Sequence, residues 1–159
     1  MIEFKEIFYE AVEVGETLMS DDFLIKPEDI ETFAFAVDDY DPWYFADAPA
    51  SSPPLSPFGG KIAHPVLLGN QALLMRHGKY IVPAGLHAKM HFEFIEPLRA
   101  GMRVRTRGKV IDKHEKRGRH YMVTEFETRD EESGALLVRG QFTQMLFPKS
   151  GVHVHAKNR

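Results

Sequence analysis

The chain has 159 residues, a formal net charge of −3 from 20 basic and 23 acidic side chains, and no cysteine. That length gives room for one domain with a single core, expected over residues 1–150 with a mobile tail at 151–159. The charge argues against a protein built to coat nucleic acid, and without cysteine there is no disulfide, thiol nucleophile or Cys-based metal site.

The first residues, Met1-Ile2-Glu3-Phe4, lack the apolar core of a signal peptide, so a cytoplasmic protein is expected. Residues 16–25 hold Thr17-Leu18-Met19-Ser20 and Phe23-Leu24-Ile25, a first strand with imperfect alternation. Pro27 opens a short helix with Glu28 and Asp29 in its first turn, where carboxylates suit the positive end of the dipole. Ile30, Phe33, Ala34 and Val37 give it an apolar stripe that ends on Asp38, Asp39 and Asp41. Acids suit the end of a helix poorly, which makes this turn a candidate for chemistry; acidic turn residues are also common without any.

Residues 46–61 are rich in proline and serine and form a long loop, the kind that serves as a lid, a binding segment or a disordered piece. Phe45, Leu55 and Phe58 could cover an apolar ligand there or simply pack the loop down. Gly59-Gly60-Lys61-Ile62-Ala63-His64 then leads into a helix marked by Pro65 at its start and Gly78 past its end. Val66, Leu67, Leu68, Ala72, Leu73, Leu74 and Met75 cover most of its circumference, so other elements must wrap it. It is too short to span a membrane, which needs about 20 apolar residues.

Residues 85–96 alternate with period two, Leu86, Ala88, Met90, Phe92 and Phe94 against His87, Lys89, His91 and Glu93. Further strands are expected at about 102–112, 119–129 and 135–147, with turns at 113–118 and 130–134. Successive hairpins make an α+β fold: an antiparallel sheet of five or six strands wrapped around one long buried helix.

The order of short helix, Asp39-Tyr40-Asp41-Pro42, loop, Ile62-Ala63-His64-Pro65, buried helix and long strands resembles the MaoC-like dehydratases, which include the (R)-specific enoyl-CoA hydratases. The likeness runs from about Val12 to Phe147, with further marks from His87 to Pro97 and at Gly101, and is nearest to the branch called the N-terminal MaoC-like dehydratase domain. It implies the hot-dog fold and reversible syn hydration of a trans-2-enoyl thioester carried on CoA or acyl carrier protein. It implies no separate cofactor and no metal, and a homodimer or a heterodimer with another hot-dog subunit, with no nucleic acid or membrane as partner.

Carried over by position, Asp39 falls on the catalytic aspartate of the family motif Asp-x-Asn-Pro-x-His, Asp41 replaces its Asn, Pro42 matches, and Tyr44 stands at its His. His64 matches the helix-leading histidine, while Pro65 stands where many hydratases have glycine. The resemblance thus implies Asp39, Tyr44 and His64 as catalytic. It implies Asp41, Pro42, Phe45, Phe58, Gly59, Gly60, Pro65 and Val66 as substrate-binding. Tyrosine is a donor but a poor base at neutral pH, and Pro65 has no N–H for an oxyanion, which leaves Val66 or another group to supply it. Three readings stand: a hydratase or dehydratase in its own right, the substrate-binding half of a heteromeric dehydratase, or a hot-dog thioesterase.

Other polar clusters have simpler readings. Arg103, Arg105, Arg107 and Lys109 would suit the phosphates of CoA or an acidic carrier protein, but a hairpin centred near residue 116 sets Glu127 beside Arg105 and Glu125 beside Arg107 as ion pairs. His87 and His91 lack a third ligand. Lys113, His114, Lys116, Arg117 and Arg119 are expected to make a soluble hairpin tip, and His153 and His155 belong to the tail.

Overall fold

Hairpins in the second half of the chain build the sheet on which the rest is laid. The computed structural model describes residues 5–45, 56–81 and 85–149. In chain order the elements are β1 (Lys5–Glu6), a 3-10 turn at Tyr9–Ala11, β2 (Thr17–Met19), β3 (Phe23–Leu24), α1 (Pro27–Ala36), α2 (Pro42–Phe45), α3 (Leu67–Leu74), β4 (Tyr80–Ile81), β5 (Gly85–Phe94), β6 (Arg103–Lys116), β7 (Arg119–Asp130) and β8 (Leu136–Leu146). The main sheet runs β2-β6-β7-β8-β5 with β3 also on β6, all antiparallel, and a small parallel pair joins β1 to β4.

The expected first strand is two. Ser20 separates β2 from β3; its N–H donates to Thr106 O at 2.9 Å and its hydroxyl accepts from Thr106 N–H at 3.0 Å. The main chain is thereby tied to β6 without a continuous ladder. α1 forms as predicted, with Lys26 N–H donating to Asp29 Oδ2 at 2.9 Å ahead of Pro27. Its buried stripe is narrower than the sequence pattern, since Ile30 and Ala34 are buried but Val37 is 45% exposed.

The inner face of the sheet is mostly apolar, with Val104, Val110, Met122, Phe126, Val138 and Phe142 all buried, and with buried Thr106, Thr124, Thr128 and Gln144 among them. Each such apolar side chain contributes about 1.5–3 kcal/mol on leaving water. Opposite it lies α3, which corrects the sequence reading. It has eight residues instead of a long span from Pro65 to His77, and the longest helix among the described residues is α1, with ten. Both ends of the apolar segment tighten into short turns. Leu67, Leu68 and Gly69 donate to the carbonyls of His64, Pro65 and Val66, and His77 donates to Leu74. Such three-residue bonds break the α-helical ladder.

α3 sits close to the sheet because two glycines let it. A Cβ on Gly69 would lie 2.7 Å from Phe92 Cζ, and one on Gly108 would lie 2.6 Å from Met75 Sδ. Just past the helix, Arg76 is 4% exposed, with its guanidinium bonded to the buried Gln144 side chain and 5.7 Å from the Phe142 ring. Burial pushes this group down to about 10.

The β6–β7 hairpin turns on Arg117 and Gly118, both at positive φ (54° and 70°). Residue numbers paired across it therefore differ from those expected. Arg107 faces Glu127, Lys109 faces Glu125, and Arg105 faces Arg129. The arginines find other carboxylates. Arg103 and Arg105 reach Asp22 at 2.6 and 3.3 Å, and Arg105 and Arg107 reach Glu131 at 3.1 and 3.0 Å.

Candidate active site

The acidic turn is built by the way α1 ends. Asp38 adopts φ 58°, and its N–H and that of Asp39 donate to Phe35 O (3.2 Å) and Ala34 O (3.0 Å). These are the two bonds of a Schellman motif, which needs a left-handed residue that is usually glycine; aspartate is among the few other types that tolerate the conformation. The acid that looked misplaced at a helix end thus ends the helix.

Asp41 begins the next one. Its Oδ1 accepts from Trp43 N–H at 2.9 Å and its carbonyl from Tyr44 N–H at 3.0 Å, with Pro42 at the first helical position. This is the role of an N-cap, so Asp41 and Pro42 shape the turn that carries Tyr44. Asp39 lies between the two helices, its Oδ1 accepting from Asp41 N–H at 3.2 Å and its Oδ2 facing His64 Nε2 at 3.4 Å.

His64 comes from the strand-like approach to α3, which Ile62 and Ala63 anchor through bonds to Trp43 O and Leu98 O. Its Nδ1 accepts from Val66 N–H at 3.2 Å. A neutral imidazole accepting at Nδ1 carries its proton on Nε2, here the atom turned toward Asp39. The ring lies between those of Phe33 and Tyr44, with centroids at 5.5 and 5.4 Å. Side-chain exposure is 18% for His64 and 39% for Asp39, leaving the pair reachable from solvent. Tyr44 is 7% exposed, and burial, followed by the charges of Asp39 and Asp41, raises its phenol above the ordinary 10.0. It stays protonated at neutral pH.

The three residues expected to be catalytic are therefore together, while those expected to bind substrate divide. Phe58 and Pro65 line an apolar cleft of about 130 Å³ with Leu68, Phe94, Ile95 and Leu98. Phe45 does not line it and stacks on Tyr40 at 6.1 Å, whereas Trp43 meets Phe58 edge-on at 6.1 Å. Gly59 and Gly60 turn the chain at φ 76° and 126°, and Ser56 Oγ donates to Gly60 O at 2.5 Å. Val66 is 45% exposed, but its N–H is taken by His64. Leu67 N–H is taken by His64 O at 3.0 Å and Leu68 N–H by Pro65 O at 3.3 Å, so the start of α3 directs no free donor outward from these positions. Residues 46–55, including Leu55, lie outside the described residues, as does the tail with His153 and His155.

Two contributors escape the sequence reading. Phe33 packs on His64, its only signal being its place in the α1 stripe. Arg99 holds the glycine loop through Phe58 O and Lys61 O, and nothing in its sequence neighbourhood marks it. Among the described residues no cluster of three potential metal ligands is present, and no helix is long and apolar enough to cross a membrane.

A family model described as "FAS1-like, dehydratase domain region" matches residues 12–139. No curated protein matches the sequence. Among solved structures, the R-hydratase PhaJ1 of Pseudomonas aeruginosa is similar with a TM-score of 0.72 at 22% identity, covering 98% of this chain and 96% of its own. A MaoC-like dehydratase of Rhodospirillum rubrum gives 0.73 at 18%, covering 90% and 98%. The HadBC (3R-hydroxyacyl-ACP dehydratase) complex of Mycobacterium tuberculosis gives 0.68 at 21%, covering 83% and 96%. These likenesses establish the hot-dog architecture, here with a short central helix.

Proposed function

The chain belongs to the FAS1-like, MaoC-like dehydratase family, and on that premise we propose that it hydrates trans-2-enoyl thioesters, and dehydrates the 3-hydroxyacyl products, at Asp39 and His64. The observation that carries the reading is the pairing itself: His64 Nε2 stands 3.4 Å from Asp39 Oδ2 with Tyr44 beside it. His64 would supply from the helix side the histidine that the first motif lacks.

Asp39 takes a proton from water as the oxygen bonds to C3, and the π electrons move toward the thioester oxygen. The same carboxyl then returns a proton to C2 on the same face, so that one water is added syn and the base is restored. His64 Nε2–H holds the carboxylate and the water in line, and protonated Tyr44 donates to the developing enolate oxygen. The cleft beside Pro65 and Phe58 receives the acyl chain. The carrier is CoA or acyl carrier protein. A homodimer, or a heterodimer with another hot-dog subunit, fits the exposed edge at β5, where Leu86 and Phe94 are 59% and 43% exposed.

One observation favours a second reading, the substrate-binding half of a heteromeric dehydratase. The donors at the start of α3 are all used internally, and Pro65 has none to give. The test is hydration of short, long and branched trans-2-enoyl-CoAs by the purified chain, with Asp39→Asn in parallel. Turnover lost in the variant supports the enzyme. Saturable binding without turnover supports the subunit, and turnover retained in the variant removes Asp39 from the mechanism.

A further inference from the structure

Basic side chains crowd both ends of the sheet's outer face, and only one end pairs them. Near the start of β6, Arg103, Arg105 and Arg107 share the carboxylates of Asp22 and Glu131, and Arg129 on β7 reaches Glu127 at 2.9 Å. At the hairpin end, Lys89, Lys116, Arg117 and Arg119 form no ion pair among the described residues. These four surround a groove of about 480 Å³. It is lined as well by Tyr121 and His114, whose rings stack at 5.4 Å and 23°. Its acidic neighbour Asp112 accepts from His114 Nδ1–H at 2.6 Å, and Glu115 faces His120 at 4.0 Å on the other side of the strand.

Two backbone features bring these groups together. An irregularity between Val110 and Asp112 resets the alternation of β6, so that His114 and Lys116 stand opposite Tyr121 and Arg119 on the outer face. Lys113 is sent the other way, its Nζ donating to Val12 O at 2.9 Å and lying 4.3 Å from the Tyr9 ring centroid. The turn places Arg117 at φ 54°, the first central position of a hairpin turn that favours Asn, Asp or Gly. A cation therefore occupies a strained place that a small residue would fill more comfortably.

We propose that this groove binds a small nucleotide, with the phosphates against Lys116, Arg117, Arg119 and Lys89 and the planar base on Tyr121. Several converging cations suit a phosphate's charge and acceptor oxygens, and an aromatic face in a basic groove suits a base. The volume falls in the range of small-ligand pockets. The groove lies on the outer face of the sheet, opposite the layer in which Asp39 and His64 sit beside α1, α2 and α3, so the proposal goes beyond the dehydratase reading and does not depend on it.

The test is calorimetric titration of the full chain with ADP at low salt, with inorganic pyrophosphate as the ring-free probe. The wild type is expected to bind one ADP saturably, and more weakly as salt is raised. Arg117→Gly is expected to weaken binding about tenfold while thermal stability is equal or higher, which separates lost charge from lost fold. Tyr121→Leu is expected to weaken ADP but leave pyrophosphate unchanged, and Lys113→Ala to change neither. Absence of saturable binding at millimolar ADP would overturn the proposal. So would pyrophosphate binding as tightly as ADP, or affinities that ignore both Arg117→Gly and Tyr121→Leu.

Discussion

Two turns hold a non-glycine residue at positive φ among the described residues, Asp38 and Arg117, and they differ in what offsets the strain. At Asp38 the left-handed conformation closes α1 with two backbone hydrogen bonds and delivers Asp39 to His64. At Arg117 the position of the two-residue turn sets the register, and any of the favoured turn residues would make that turn as well as arginine does. A strained residue that the local backbone explains calls for no ligand, whereas one that it does not explain points outward.

The largest effect that tests the comparison is at the acid turn's product, the Asp39–His64 pair. His64→Ala is expected to lower the hydration rate by about 10²-fold or more, in line with the loss of a group positioning proton transfer. Steady-state kinetics with circular dichroism as a folding check would measure it, and an unchanged rate would leave the acid turn a purely structural device.

Asp130 offers a control, an acid turn with no site attached. Its carboxylate accepts from Ser133 Oγ at 2.6 Å, Ser133 N–H at 3.1 Å and Arg103 N–H at 3.3 Å. The Ser133 hydroxyl bond foremost, joined by backbone N–H groups, holds its pKa below the ordinary carboxylate value. The folded value lies under the unfolded one of about 3.9. The contribution is therefore full above that pH and is lost as pH falls through the folded value. Asp130→Asn is expected to cost about 1–2 kcal/mol at pH 7, to flatten the acid decline of the denaturant midpoint, and to leave the hydration rate alone.

Asp41→Ala removes the N-cap of α2 and is expected to cost about 1 kcal/mol in chemical denaturation, with a loss of rate as Tyr44 shifts. Smallest are the changes at the two strained residues. Asp38→Gly and Arg117→Gly each relieve a left-handed conformation that costs about 1–2 kcal/mol in a non-glycine residue, an advantage reduced by glycine's greater freedom in the unfolded chain. A melting temperature equal to or above wild type is expected for both. A clear fall at Arg117 would mean that its side chain holds the fold, and the contrast between the turns would disappear.

Much of the sheet was legible because alternation reports directly which face a strand buries. The four long strands expected from the sequence all form, but β6 runs on to Lys116 because residues 113–116, expected to be turn, pair with β7, and the charged outer face is ion-paired at its β2 and β3 end. The pairs themselves were not legible. Register depends on which two residues make the turn, and a shift of two along β6 and β7 sends Arg105 to Asp22 and Glu131 instead of Glu127. The long helix was over-read for a related reason. Apolar coverage marks burial, and Arg76 is buried as deeply as its apolar neighbours, but hydrogen bonding at the ends decides how much of a buried segment is α-helical.

The sequence alone determined the order of α1, the buried apolar segment and the four long strands, because side-chain periodicity and turn residues act locally; β5 keeps its period but, at the sheet edge, leaves Leu86 and Phe94 exposed. The sequence also carried the motif resemblance on which Asp39, Tyr44 and His64 were chosen. Tertiary structure alone decided that His64 turns Nε2 to Asp39 and spends Nδ1 on Val66, and that Phe45 leaves the cleft to Phe58. Packing alone split one run of basic residues between Tyr9 and an open groove. Those outcomes rest on distances between segments far apart in the chain, which only the packing of α1, α3 and the sheet sets.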